Sequence, residues 1–219
     1  MCGRFVLFTT GHDLLGEIAA LPGVGPVAAP DGTPPPRYNI APTQQVPLVR
    51  VGESGARLDA ARWGLLPAWK KDESGPPLFN ARGETVAEKP SFRSAFAARR
   101  GLMVLDGYYE WKRESGGKQP YYVAPGEGLL YAAALWDTGL DRLSTTMITT
   151  AAPESMEWLH HRLPLFLAAD EVEQWVHGSP GEALELVRPS RVADGLRARE
   201  AAREVGNVRN DYAELMSAN

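Results

Sequence analysis

Between Gln45 and Thr150 the chain runs through short apolar or alternating segments, with no glycine-rich phosphate loop and no regular exchange of strand for helix. Strand character covers residues 46–51, 57–63, 102–105, 108–113, 121–123, 129–136 and 144–150, each bounded by turn formers. Successive side chains of a strand point to opposite faces, so this many strands must bury shared faces against one another. A parallel, doubly wound sheet would need a helix after each strand, and the pattern excludes it. It predicts an α+β fold with a curved, barrel-like antiparallel β core and flanking helices. Glu114-Ser115-Gly116-Gly117 reads as a hairpin turn, and Trp63, ending an alternating run, reads as core.

Outside this region, residues 3–8 read as a strand and residues 12–18 as a helix that ends before Pro22-Gly23. Helical spacing returns at residues 91–100, 154–160 and 170–177, with a more polar helical stretch within 180–204. Residues 22–36 hold six prolines and three glycines and form a loop. They do not read as an interdomain linker, because the segments on both sides look too short to fold alone. Residues 1–219 are therefore expected to make a single domain, for which 44% hydrophobic content is ample. One cysteine excludes an internal disulfide and any multi-cysteine zinc site, and four histidines without ligand spacing point to no metal and no cofactor. The start lacks a signal peptide's basic and apolar regions, and no run approaches the roughly 18 apolar residues of a membrane span. A cytoplasmic protein without a membrane partner is expected.

The net charge of −4 argues against a bulk polyelectrolyte binder, but the charge is uneven. Residues 1–120 carry 15 Lys and Arg against 12 Asp and Glu, while residues 121–219 carry 8 against 15. Any nucleic-acid surface must be local and drawn mainly from the first half.

The only cysteine is the second residue, in Met1-Cys2-Gly3-Arg4-Phe5. Removal of Met1 would expose an α-amine and a thiol on one residue, a pair that takes an aldehyde first as a Schiff base and then as a five-membered thiazolidine. Reference values of about 7.7–8.0 for the amine and about 8.5 for the thiol leave both partly reactive at neutral pH. Arg4 is expected to favour the thiolate. Five further segments look like site loops: Arg37-Tyr38-Asn39-Ile40-Ala41-Pro42-Thr43-Gln44, Trp63-Gly64-Leu65-Leu66-Pro67-Ala68-Trp69, Phe79-Asn80-Ala81-Arg82-Gly83-Glu84-Thr85, Asp106-Gly107-Tyr108-Tyr109-Glu110-Trp111-Lys112 and Leu159-His160-His161-Arg162-Leu163-Pro164. Singly, each polar residue also has an ordinary reading: Asn80 as a turn former, Glu110 as a solvated strand carboxylate, His160 as a helix-end histidine bonded to a carbonyl.

With Cys2-Gly3-Arg4-Phe5, and in this order, these segments resemble the SRAP family, SOS-response-associated proteins that crosslink to abasic sites in DNA. The resemblance runs from Cys2 to Asp211. It implies that Cys2 forms a thiazolidine with the ring-opened deoxyribose of an abasic site in single-stranded DNA. Asn80 would hold the α-amine or the sugar. Glu110, on the strand face opposite Tyr109 and Trp111, would exchange protons with the sugar and the imine nitrogen. His160 would protonate the sugar oxygen, while His161 is read as an exposed neighbour. DNA contacts fall to Arg4, Arg82 and Arg162 on phosphates and to Trp69, stacked on a base or wedged against a duplex end, with Asn39, Pro42 and Thr150 lining the same groove. Lys70 stands where many relatives carry a second aromatic and would offer phosphate attraction instead. Leu163 replaces a more usual methionine, and Glu204 a frequent serine. The implied partner is single-stranded DNA containing abasic sites, bound by a monomer that is nucleoid-associated when on DNA. Two other readings use the same residues: a cysteine peptidase with Cys2 and His160, acting on its own N-terminus, or a non-catalytic single-strand binding module.

Overall fold

The computed structural model describes residues 2–218, so Met1, whose removal the chemistry above requires, lies outside it. In chain order the strands are β1 Phe5–Leu7, β2 Val27–Ala28, β3 Arg37–Ile40, β4 Gln45–Gly52, β5 Gly55–Trp63, β6 Asn80–Arg82, β7 Arg100–Leu105, β8 Gly107–Glu114, β9 Gly117–Pro125, β10 Leu130–Gly139, β11 Arg142–Ala151, β12 Arg162–Pro164 and β13 Leu196–Glu200. The helices are α1 Gly11–Ala19, α2 Arg93–Ala98, α3 Glu154–Glu157, α4 Ala169–His177 and α5 Pro180–Glu185.

Strands β11, β10, β7, β4 and β5 lie side by side as antiparallel neighbours. A short parallel seam, Ser144 opposite Arg62 and Thr145 opposite Trp63, joins β11 back to β5 and closes a five-stranded barrel. Closure leaves these strands without free edges. Both sides of the barrel wall are covered, so its strands read as continuous apolar runs: β7 is buried from Gly101 to Leu105, and Ala132, Ala133 and Ala134 of β10 are all buried. Small side chains let neighbouring elements approach. A Cβ on Gly101 would stand 2.6 Å from the Val49 carbonyl oxygen, and that same glycine's carbonyl accepts from the Trp175 indole of α4 at 2.9 Å. Trp63 is fully buried, edge-on to Phe5 at 5.2 Å and to Phe79 at 5.9 Å. Burial of an indole's 150–250 Å² stabilises by roughly 4–6 kcal/mol.

A second sheet, in the order β13-β9-β8-β1-β3, packs one face on this core. Its other face carries a smaller apolar cluster of Val6, Tyr109, Tyr122, Ala201, Val205 and Leu215, which the C-terminal segment covers. The hairpin expected at residues 114–117 is present, with Glu114 opposite Gly117.

The α+β, barrel-like reading therefore holds, with local corrections. The polar stretch 180–204 is not one helix: α5 stops at Glu185 and β13 pairs with β9 from Leu196 opposite Pro125 to Glu200 opposite Tyr121. An unpartnered edge of β9 supplies hydrogen bonds that outweigh a weak helical preference. Residues 37–40, 80–82 and 162–164, read within loops, are short strands recruited by β1 and β11. The helices read at residues 91–100 and 154–160 shorten to α2 and α3, because Arg100 already begins β7 and residue 160 follows a single turn. Among the described residues no helix is long and apolar enough to cross a membrane.

Candidate active site

Four elements converge on Cys2. Strand β1 pairs with β8, Phe5 opposite Tyr108, and the Tyr109 amide donates to the Arg4 carbonyl at 2.9 Å, which draws the start of the chain against β8. Cys2 is fully buried, and its Sγ donates to the Arg4 carbonyl oxygen at 3.7 Å. Burial, reinforced by the Glu110 carboxylate, pushes the thiol well above its usual range. Arg4 does not produce the thiolate expected of it. Its half-buried guanidinium donates instead to Asn39 Oδ1 at 3.0 Å, to the Val205 carbonyl at 2.5 Å and to Gly206 at 3.3 Å.

Strand β6 lies parallel to β11, Asn80 beside Met147, and from there Asn80 Nδ2 donates to the Cys2 carbonyl at 2.7 Å. Its Oδ1 is buried without a hydrogen-bond partner among the described residues. Strand alternation in β8 sends Tyr109 and Trp111 to the outer cluster and Glu110 the other way, as the sequence predicts. Glu110 does not reach solvent. It is 4% exposed, accepts the Trp111 amide at 3.1 Å, and faces a narrow cleft lined also by Tyr108, Met156, Leu159, His160, Arg162 and Leu163. His160 Nδ1 lies 3.0 Å from the Arg162 amide nitrogen and 3.1 Å from its carbonyl oxygen, which fixes the ring in plane. When Nδ1 accepts that amide, the neutral ring carries its proton on Nε2. Burial holds the imidazole below its ordinary range, partly countered by Glu110. The exposed His161 stacks on it at 4.3 Å.

Tyr108 was not among the predicted site residues. Its phenol is buried and held well above the usual range by burial and by the neighbouring Cys2 and Glu110. The signal was its place two residues before Glu110 on the same strand face.

The predicted DNA contacts divide. Trp69 is 62% exposed, Arg82 is exposed, Pro42 is half-buried, and Lys70, also half-buried, donates to the Ser74 carbonyl at 2.7 Å. Next to Pro42, Thr43 sits at φ 74°, a left-handed conformation uncommon for a β-branched residue. Asn39 requires correction: it is fully buried, and its Nδ2 donates to the carbonyls of Val205, Asn207 and Asn210 at 3.2, 3.1 and 2.7 Å, so it ties down the C-terminal segment and lines no groove. Thr150 is likewise inside, 2% exposed, opposite Leu163. Arg162 is present at the cleft but engaged, its fork gripped by both oxygens of Glu84 at 2.8 Å and by the Thr149 carbonyl at 2.6 Å. Glu84, in the turn after β6, carries no sequence signal beyond its place beside Arg82.

The sequence matches the family model "SOS response associated peptidase (SRAP)" over residues 1–208. It is 35% identical over 229 residues to abasic site processing protein YoaM of Bacillus subtilis, covering 100% of this chain and 98% of that one. It is 33% identical over 224 residues to abasic site processing protein YedK of Escherichia coli, covering 99% of each. Among solved structures, a protein from Bordetella bronchiseptica superposes with a TM-score of 0.75 at 21% identity, over 92% of this chain and 100% of that one. One from Bacteroides thetaiotaomicron gives 0.73 at 25% identity, over 83% and 85%. Both share the fold.

Proposed function

Because the chain belongs to the SRAP family, we propose that it processes abasic sites by capturing them covalently in single-stranded DNA, with Cys2, freed of Met1, as the nucleophile. The pairing of β1 with β8 carries this reading, since it sets the one cysteine beside Glu110 and under the Asn80 amide.

In the first step the α-amine of Cys2 adds to C1′ of the ring-opened sugar, and loss of water gives an imine. The thiol then adds across the C=N bond, its proton passes to the nitrogen, and a thiazolidine results; water is the only by-product and nothing is oxidised. His160 protonates the sugar oxygen as the ring opens, and Glu110 carries protons to and from the carbinolamine and the nitrogen. Asn80 fixes the residue that reacts. An aldehyde is already electrophilic, so orientation accounts for much of the acceleration. Arg82, Trp69 and Lys70 hold the strand outside the cleft, with Arg162 joining once Glu84 lets go.

A thiol peptidase needs a standing thiolate paired with a base. Cys2 Sγ addresses the Arg4 carbonyl and His160 Nδ1 is engaged by Arg162, an arrangement that supports the aldehyde reaction, which begins at the α-amine, better.

The test is intact mass and a denaturing gel after incubation with an abasic single strand. The mature protein should give a heat-stable adduct. Cys2→Ala should lose it and keep salt-sensitive binding, and an uncleavable residue before Cys2 should abolish capture while leaving the thiol. Equal capture by the extended protein would replace the imine route with a plain thiol adduct.

A further inference from the structure

We infer that Trp158, Tyr121 and Lys112 form a stacking subsite for the nucleotide adjoining the captured lesion; this rests on the function proposed above. Tyr121 of β9 stands directly opposite Glu110 of β8, so the two side chains share one sheet face. Lys112 lies two residues beyond Glu110 on that face, about 7 Å further along the strand. Trp158 directly precedes Leu159 and His160, which line the cleft. The three therefore lead from the buried carboxylate out to the surface.

Their contacts show a built arrangement. The Tyr121 and Trp158 rings meet edge to face with centroids 5.1 Å apart, and Lys112 Nζ stands 5.2 Å from the centre of the Trp158 ring. Even so, Trp158 is 46% exposed, one of the few large apolar side chains left in water among the described residues. An open indole beside an ammonium group matches one nucleotide of a single strand, its base offering a π face and its phosphate a negative charge. A duplex, whose bases are already stacked, does not match. Two carboxylates flank the patch: Glu114 is 3.8 Å from Lys112, and Glu200 accepts from the Tyr121 hydroxyl at 3.4 Å. The Lys112–Glu114 pair is exposed on both sides and weak enough for a phosphate to displace.

The experiment uses the full chain and labelled single strands carrying a central tetrahydrofuran, an abasic mimic without an aldehyde, so that binding is read apart from capture. Trp158→Ala should weaken binding about tenfold, the scale of one lost base–aromatic stack, and Trp158→Phe should retain most of it. Lys112→Gln should reduce the salt slope by about 0.7, one phosphate on a single strand. Replacing the neighbouring nucleotide on one side of the lesion by a second tetrahydrofuran should cost the wild type the same tenfold and Trp158→Ala nothing more. Unchanged binding by Trp158→Ala, or a wild type indifferent to the base on either side, would overturn the subsite and leave the proposed function standing. If the wild type neither bound these strands nor captured a genuine abasic site, the proposed function itself would fall. Should Trp158→Ala fold poorly, the spacer comparison on wild type and Trp158→Phe still decides.

Discussion

Glu84 occupies the guanidinium that a DNA phosphate would need. Of Arg162's five N–H donors, two go to the Glu84 carboxylate and the rest mainly to Thr149, and the arginine is only 11% exposed while its partner is 51% exposed. Arg162 and the neighbouring Arg82 hold the Glu84 carboxyl below its usual range, so it stays charged at any pH near neutrality. A half-exposed ion pair of this kind contributes about 1 kcal/mol or less, and a bidentate phosphate can replace it. On the proposed reading, Glu84 would act as an internal stand-in for a phosphate and temper binding to undamaged strands. Glu84→Gln should tighten non-covalent binding to single-stranded DNA by roughly threefold to tenfold and steepen its salt dependence by up to about 0.7, measured by anisotropy between 50 and 200 mM salt. A weaker complex would mean that Glu84 positions Arg162 and does not compete for it. Neither Glu84 nor Tyr108 stood out in the sequence, for opposite reasons: an acid in an exposed turn and an aromatic in a strand both look ordinary until folding gives them neighbours.

At the scale of elements, the tie between β3 and the C-terminal segment holds the second sheet shut. Asn39 spends its amide on three carbonyls of that segment, while Asp211 returns the favour by accepting the Tyr38 and Asn39 amides at 2.5 and 3.1 Å and pairing with Arg37. Asn39→Ala leaves the buried Val205 carbonyl, two partly buried carbonyls and the Arg4 fork each short of a partner and should cost about 2–4 kcal/mol, read as a lower urea midpoint. An unchanged midpoint would show the tie to be dispensable. This element also marks the limit of what the sequence reveals. The long alternating runs that became β4 and β5 were plain, because their periodicity is local. The three- and four-residue strands β3, β6 and β12 were not, since they exist only through a partner distant in the chain, and β13 carries a helical composition that its place beside β9 overrides. The order of the motifs, through the family resemblance, points to Cys2, Asn80, Glu110 and His160 as the set proposed above, whereas the inward turn of Asn39 and Thr150 depends on packing that spacing does not encode.

Across the whole molecule, the two ends of the chain meet. Val6 near the start and Leu215 near the end share one apolar cluster with Tyr109, and β1 pairs with strands drawn from residues 37–40 and 107–114. With its ends packed together in this way, the chain should unfold as one unit. Urea transitions followed by tryptophan fluorescence and by far-ultraviolet circular dichroism should coincide, and two separated transitions would refute a single domain. The buried sulfur of Cys2 bears on chemistry in a crowded cell. Peroxides and small metabolite aldehydes attack accessible thiolates and amines, and Cys2 presents no exposed surface and keeps its thiol protonated. On the proposed reading, an aldehyde carried on a polynucleotide brings phosphates and bases whose binding opens the cleft, and a free aldehyde brings neither. Burial would then make an otherwise indiscriminate aminothiol choose its target by what the carbonyl is attached to.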